Sequence, residues 1–164
     1  MAKEKTLKQK MLDYVFITAK QPVLLKDLLV ANRQFNEGMD VDASRLGFKL
    51  SLTKAYILYT SIILGVLVPL SFLTHKELAK IDSHISIIGA VVITAAIFIG
   101  FNYFKDWLIC TISKNTIRKA WAIHFPFFPY NEYSTKIEEI FEQSLKDEIT
   151  KKDLEKYILD NLAD

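Results

Sequence analysis

The chain has 164 residues, of which 51% are hydrophobic and 24% are charged, and its formal net charge is +2. This is enough sequence for one ordinary domain. The weak net charge gives no electrostatic reason to propose a nucleic-acid partner. The single cysteine, Cys110, excludes an intrachain disulfide and a multi-cysteine metal site.

The N-terminal segment, residues 1–54, has apolar residues at helical spacing and is predicted to be a cytoplasmic helical segment. The first predicted helix carries Leu7, Met11, Tyr14, Val15 and Thr18 on one face. A second helix is predicted to open near Pro22, to carry Leu24, Leu25, Leu28, Leu29 and Phe35, and to stop at Gly38. Residues 39–52 are interpreted as a connector followed by an interfacial lead-in.

Residues 55–74 and 85–104 contain no Asp, Glu, Lys, Arg or His. Twenty helical residues cover about 30 Å, which is the thickness of the hydrocarbon core of a bilayer. Both stretches are rich in Ile, Leu, Val and Phe and lack the polar stripe of a soluble amphipathic helix. We therefore predict two transmembrane helices, with two buried helices of a soluble domain as the alternative.

The polar link between the predicted spans, residues 75–84, is short enough to require an antiparallel hairpin with both termini on one side. Seven cations flank the outer ends of the spans, against only Lys76 and Lys80 in the link. The seven are Arg45, Lys49, Lys54, Lys105, Lys114, Arg118 and Lys119. This bias predicts cytoplasmic termini. Four aromatic residues would then form an interfacial belt at the cytoplasmic side: Tyr56, Tyr59, Tyr103 and Trp107.

Small residues recur at four-residue spacing within both predicted spans. They are Ser61, Gly65 and Pro69 in the first span, and Ser86, Ala90 and Thr94 together with the pair Ala96 and Gly100 in the second. Residues at this spacing share a helix face and let two backbones approach closely. We expect these faces to pack the hairpin on itself or to contact another subunit. Pro69 is expected to kink the first span.

The juxtamembrane segment, residues 105–133, divides into two parts. The first part is predicted to be an amphipathic helix at the membrane surface, where Lys114, Arg118 and Lys119 meet anionic headgroups. Pro126 and Pro129 interrupt the second part. Its aromatic residues are expected to cover the cytoplasmic subdomain, to lie in the headgroup layer or to dock on a partner: Phe125, Phe127, Phe128, Tyr130 and Tyr133.

The C-terminal segment, residues 134–164, is predicted to be a cytoplasmic helical pair. One apolar face carries Ile137, Ile140, Phe141, Leu145 and Ile149, and the next carries Leu154, Tyr157, Ile158 and Leu162. Thr135 with Glu138, and Thr150 with Asp153, have the spacing of capping boxes and so indicate two helix starts. These faces are expected to pack on the other cytoplasmic helices, on the membrane or on a partner.

Residues with catalytic or metal-binding chemistry are sparse and form no recognised pattern. The link contains His75, Glu77, Asp82 and His84, but their spacing matches no strong zinc motif. Asp40, Asp42 and Ser44 imitate the start of a calcium loop, yet Arg45 and Ser51 stand where Gly and Glu are needed. Cys110 and His124 have no recognisable acid partner, and no two of the five glycines are close enough to form a phosphate loop.

These features together predict an all-α membrane protein, a two-span transmembrane helical hairpin with amphipathic cytoplasmic helices at both termini. We expect no catalytic site, metal or cofactor. The leading hypothesis is a non-enzymatic accessory or scaffold subunit of a bacterial-type cytoplasmic (inner) membrane, which binds a protein partner through its cytoplasmic helices. The alternative is a self-assembling homo-oligomeric pore or membrane-perturbing effector, with Thr60, Ser61 or Thr94 lining a polar path. A third hypothesis is a membrane-surface enzyme that uses Cys110 or the link histidines.

Overall fold

The computed structural model describes residues 6–78 and 83–163, and the side chains of residues 75–86 and 163 lie outside the described part. The described chain is mostly helical, with two helices that are long and apolar enough to span a membrane. In chain order the elements are α1 (Leu7–Val15), β1 (Phe16–Thr18), α2 (Leu25–Asn36), β2 (Phe48–Leu50), α3 (Leu52–Leu78), α4 (Ser83–His124), α5 (Tyr130–Lys146) and α6 (Leu154–Ala163).

The chain divides into two units. The first, here called the apolar unit, comprises Met1–Ile17 and Leu50–Ile109. The second, here called the packed unit, comprises Thr18–Lys49 and Cys110–Asp164. The long helix α4 contributes residues to both units.

Helix α1 is shorter than its apolar spacing predicts. It begins with a capping box, in which Thr6 accepts from the backbone N–H of Gln9 and the Gln9 side chain accepts from the N–H of Thr6. It ends at Val15 because Phe16 is extended, with φ −107° and ψ 141°. Thr18, predicted on the helix face, lies in β1 instead, where β-branched residues are favoured.

Strands β1 and β2 pair in a two-stranded sheet, so the expectation of a purely helical chain is wrong in this detail. The backbone N–H of Ser51 donates to Val15 O at 2.9 Å, and that of Ala19 donates to Gly47 O at 2.6 Å. From Val15 to Ala19 the residue number rises, while that of the bonded residue falls from Ser51 to Gly47, so the strands are antiparallel. Gly47 has a positive φ of 67°, a conformation that glycine adopts without strain.

The stop of α2 at Gly38 is confirmed. Gly38 has φ 69°, its N–H donates to Phe35 O, and the N–H of Met39 donates to Gln34 O. These two bonds form a Schellman motif, which satisfies carbonyls that the helix end leaves without partners.

In the apolar unit, α3 and α4 are antiparallel and contact each other through aromatic side chains near one end of the pair. Helix α1 packs against α3. No described side chain is buried within residues 56–74 or 87–100. The buried apolar residues of this unit all lie near the aromatic end: Leu12, Val15, Phe16, Ala55, Phe101 and Leu108.

The packed unit contains α2, the end of α4, α5 and α6, and α5 contacts both α2 and α6. Its largest fully buried side chains include Trp121, Phe125, Phe141, Leu28 and Leu29. The apolar faces predicted for the C-terminal helices are covered by protein only in part. Ile137, Phe141 and Ile158 are at 1% exposure or less, whereas Leu145, predicted on the same face as Ile137, is 48% exposed.

Two helix starts differ from the capping-box prediction. Helix α5 begins at Tyr130 with Pro129 as its N-cap, so Thr135 lies inside the helix and is not a cap. The fixed φ of proline suits the entry to a helix, and this explains the earlier start. Helix α6 begins at Leu154, later than a start directly after Thr150 would be. In the turn before it, Thr150 Oγ1 donates to Asp153 Oδ2 at 2.6 Å, and Thr150 O accepts from the N–H groups of Asp153 and Leu154.

Candidate membrane and docking surfaces

Within residues 56–74 of α3 and 87–100 of α4, the large apolar side chains are mostly exposed to their surroundings. The most apolar 18-residue window of Leu52–Thr74 has a mean hydropathy of 2.1 and no buried residue, and the corresponding window of Ile87–His124 has the same hydropathy and is 6% buried. Phe72, Leu73 and Ile88 are 81%, 82% and 65% exposed. A core helix of a soluble domain buries such side chains, because each one gains about 1.5–3 kcal/mol by leaving water.

An aromatic cluster joins α3 to α4 at one end of the pair. Tyr56 stacks on Phe101 with ring centroids 3.9 Å apart, and Tyr59 meets Phe101 edge-on at 5.4 Å. The Tyr59 hydroxyl donates to Ile97 O at 2.8 Å. A Cβ placed on Gly100 would lie 2.6 Å from that hydroxyl oxygen, so glycine makes room for the ring.

The residues predicted as an interfacial belt have different surroundings. Tyr56 and Tyr59 belong to the aromatic cluster, whereas Tyr103 is 74% exposed. Trp107 is 45% exposed, and Lys8 Nζ lies 5.4 Å from its ring centroid. The structure therefore brings an N-terminal lysine to the predicted belt, which no feature of the sequence indicated.

The small residues of the predicted packing faces lie mostly outside the contact between α3 and α4. Exposed members are Ser61, Gly65, Pro69, Ala90, Thr94 and Ala96, and the Ser86 side chain lies outside the described residues. Gly100 meets the opposite helix through Tyr59, whereas a Cβ placed on Gly65 would have no atom within 4 Å. Ser61 Oγ and Thr94 Oγ1 donate to carbonyls of their own helices, Ile57 O and Ala90 O, each at 2.8 Å.

In the packed unit, the end of α4 is amphipathic as predicted, but its apolar face is covered by protein and not free for lipid. Ile117, Ala120 and Trp121 are 0%, 4% and 2% exposed. The three cations assigned to headgroups, Lys114, Arg118 and Lys119, are exposed. The Arg118 guanidinium lies 5.6 Å from the Tyr130 ring centroid, and its Nη2 donates to Asn131 Oδ1 at 3.4 Å.

The turn between α4 and α5 is held by Trp121. Its Nε1 donates to Phe128 O at 2.7 Å, and its ring meets those of Phe125 and Tyr130 at 4.8 and 5.1 Å between centroids. Burial raises the pKa of Tyr130. Phe125 is 2% exposed, so this part of the aromatic segment covers the helical subdomain, one of the three placements predicted.

A polar network ties α2 to α5. Glu138 Oε2 accepts from Asn32 Nδ2 at 3.4 Å and from Asn36 Nδ2 at 2.5 Å. Arg33 Nε lies 2.9 Å from Glu37 Oε1 and 3.4 Å from Glu142 Oε1. Asn32 is fully buried, so this contact links the inner face of α2 to α5, although Asn32 Oδ1 has no hydrogen-bond partner among the described residues.

Three exposed apolar residues flank a single hydrogen bond at the end of α4. His124 Nε2 lies 2.8 Å from Val23 O, which brings the chain before α2 to the C-terminal end of α4. Leu24 and Ile123 adjoin these two residues in the chain and are 68% and 64% exposed. Phe127, in the turn that follows, is 88% exposed. We call Leu24, Ile123 and Phe127 the apolar patch.

The sequence indicates Phe127 as an exposed aromatic candidate but gives no link between it and the other two patch residues. Leu24 is predicted on the apolar face of α2, yet it is the N-cap residue of that helix. Ile123 directly precedes a histidine whose ring reaches Val23, across 101 positions of sequence. A contact over that separation has no signal in local spacing.

Only some of the residues considered for chemistry are among those that the structure describes. Cys110 is exposed, and the His124 ring is engaged by Val23 O. No group of three or more His, Cys, Asp or Glu side chains able to hold a metal occurs within the described residues. The side chains of His75, Glu77, Asp82 and His84 lie outside those residues. Asp42 accepts from the N–H and hydroxyl of Ser44 at 2.9 and 2.6 Å, which lowers the pKa of Asp42.

Comparison with protein-family models, curated proteins and solved structures found no match to this chain.

Proposed function

We propose that the chain is a non-enzymatic, two-span integral membrane protein that acts as an accessory or scaffold subunit. The observation that carries this proposal is the exposure of large apolar side chains throughout residues 56–74 and 87–100. A lipid bilayer is the solvent in which such a surface is stable, because it removes the apolar side chains from water. The helical form satisfies the backbone polar groups that lipid cannot.

The packed unit is proposed to bind a partner protein through the apolar patch. The inner faces of α2, α5 and α6 are occupied by packing within the unit, so they do not supply the docking surface. The patch instead offers three large side chains at 64% to 88% exposure, of which Phe127 lies in the turn that Trp121 holds. Apolar and aromatic side chains are typical of the buried core of a protein interface.

A matched pair of substitutions tests this docking surface. Full-length tagged protein is purified in mild detergent as wild type, as Phe127→Ser and as Leu145→Ser. Leu145 is 48% exposed but lies outside the patch, so its substitution controls for the loss of exposed apolar surface. We expect a stoichiometric partner to be lost only from Phe127→Ser. Equal recovery of the partner with all three proteins contradicts the assignment of the patch.

The positive charges that flank α3 and α4 support cytoplasmic termini in an inner membrane. Topology reporters fused to the N-terminus and to the C-terminus test this orientation. We expect both fusions to be active only with a reporter that functions in the cytoplasm. Activity of either fusion with an externally active reporter contradicts the proposed topology.

The homo-oligomeric pore stays an alternative prediction, and one observation weighs against it. Ser61 and Thr94, two of the hydroxyl residues considered for the pore lining, donate to their own helix carbonyls. This arrangement lets a hydroxyl lie in an apolar environment without a water path. A purified species heavier than the monomer that contains only this chain, together with ion leakage from liposomes, would instead support the pore.

A further inference from the structure

Helix α1 is attached at both ends to the helices proposed to span the membrane. Near its start, Lys8 Nζ lies 5.4 Å from the Trp107 ring centroid on α4. Near its end, Lys54 Nζ of α3 lies 5.4 Å from the Tyr14 ring centroid, and Ser51 N donates to Val15 O at 2.9 Å. Lys8 and Tyr14 are separated by about 9 Å of helix, close to the usual distance between two packed helices. Helix α1 therefore bridges the ends of α3 and α4.

The two attachment points lie at similar levels along the helix pair. Tyr56 of α3 stacks on Phe101 of α4, which aligns the two antiparallel helices. Lys54 is two residues before Tyr56, and Trp107 is six residues after Phe101, so the attachment points differ in level by only about 6 Å. Both lie just beyond the charge-free stretches of their helices. In a membrane this level is the boundary between acyl chains and headgroups.

The exposed surface of α1 has an apolar side. Leu12 and Val15 are 3% and 0% exposed, whereas Leu7 and Tyr14 are 77% and 43% exposed. At about 100° per residue, Leu7 and Tyr14 lie on the same side of the helix, and Gln9 points roughly 160° away from Leu7. Ile17, which follows in β1, is 60% exposed. Leu7, Tyr14 and Ile17 are therefore large apolar side chains that protein leaves uncovered on and just after α1.

Cations outnumber carboxylates around α1. Lys8, Lys10 and Lys54 are exposed, and Lys105 Nζ lies 3.7 Å from Asp106 Oδ1. Asp13 and Asp106 are the nearby acids on α1 and α4. A positive local balance beside exposed apolar side chains fits the headgroup layer of an anionic bilayer.

We infer that α1 is an interfacial helix that lies in the headgroup layer and binds anionic phospholipid. Leu7, Tyr14 and Ile17 enter the acyl boundary, while Lys8 and Lys10 meet lipid phosphates. This inference rests on the proposed membrane insertion of α3 and α4. It places a contact with anionic lipid on α1, in addition to the one predicted for Lys114, Arg118 and Lys119.

Spin labels on single cysteines of the full-length protein test the inference. Cys110→Ser removes the native thiol, and labels are then placed at Leu7→Cys, Gln9→Cys or Val92→Cys. Thr6 still caps the helix in the Gln9 variant, because its side chain accepts from the backbone of that residue. Each protein is reconstituted in phosphatidylcholine vesicles with and without phosphatidylglycerol. Collision rates with oxygen and with a nickel chelate report contact with lipid and with water.

We expect the oxygen-to-nickel collision ratio at position 7 to exceed that at position 9 by about threefold or more, and to rise when phosphatidylglycerol is added. Lys8→Gln with Lys10→Gln should abolish that rise. Equal ratios at positions 7 and 9, or no response to anionic lipid, would overturn the inference. The Val92 label separates this failure from a failure of the proposed function, because exposure of that label to nickel would contradict membrane insertion itself.

Discussion

The two parts of α4 are equally helical but place their apolar side chains differently. Residues 87–100 are apolar around the whole helix and bury no side chain. The end of the helix has its buried residues at helical spacing, with Ile117 and Trp121 four residues apart and Phe125 directly after the helix, each at 2% exposure or less. The arrangement of apolar residues, more than their number, therefore indicates whether a helix segment requires a protein core or a lipid solvent.

The difference between the two parts of α4 is tested most strongly by removing the largest buried side chain at the end of α4, in the packed unit. Trp121→Ala should lower the free energy of unfolding by about 3–5 kcal/mol, because it leaves a cavity and removes the bond to Phe128 O. Denaturant titration in detergent, followed by circular dichroism, measures the change. Trp107→Ala is the matched control, since Trp107 is 45% exposed. A similar loss of stability in both variants would contradict the contrast between the two parts.

A charge placed within residues 87–100 of α4 tests whether this exposed part of the helix faces lipid. Val92 is 62% exposed, so Val92→Asp costs little if its surroundings are water. In a bilayer the aspartate should disfavour insertion by about 2.5–3.5 kcal/mol. We expect a marked fall in the fraction of protein that remains in membranes after alkaline extraction.

Ala122→Asp is the control for this charge, because Ala122 is an exposed residue of the same helix within the packed unit. It should leave the membrane fraction unchanged. If Val92→Asp also leaves that fraction unchanged, α4 does not meet lipid at this position.

A smaller effect is expected from adding a methyl group at Gly100, which lies at the end of the exposed part of α4 and faces Tyr59 of α3. Gly100→Ala should destabilise the protein by about 1 kcal/mol, because crowding against the Tyr59 hydroxyl costs more than the gain in helix propensity. In a Tyr59→Phe background, the same substitution should become stabilising. Melting temperatures of the four proteins in detergent measure the coupling. The same change in both backgrounds would mean that the hydroxyl does not limit this position.

The sequence predicts features that depend on local chemistry. Two long apolar helices follow from the absence of charge over twenty residues, and the stop of α2 follows from the conformational freedom of Gly38. The break after α4 follows from Pro126, since a residue before proline avoids the helical conformation. The capping prediction at Thr135 was wrong because Pro129 starts α5 earlier.

Long-range contacts could not be predicted from one sequence. Glu138 is 106 residues from Asn32, and His124 is 101 residues from Val23, so neither pair has a spacing that a helix or strand imposes. The short strands were missed for a related reason. Each strand has only three residues, and an alternation of apolar and polar residues over so short a stretch cannot be distinguished from the sequence of a connector.

The smallest effect is expected from a contact between a tyrosine and a carboxylate in the packed unit, since residues 55–74 and 85–104 contain no Asp or Glu. The Tyr157 hydroxyl donates to Asp147 Oδ2 at 2.7 Å, and this bond raises the pKa of Tyr157. A raised pKa in the folded state means that the stabilisation is present at neutral pH and is lost as the pH rises through that pKa, above about 10. Tyr157→Phe should therefore lower the melting temperature slightly at pH 7 and have no such effect in strongly alkaline buffer. A difference that is independent of pH would assign the role of Tyr157 to packing of its ring.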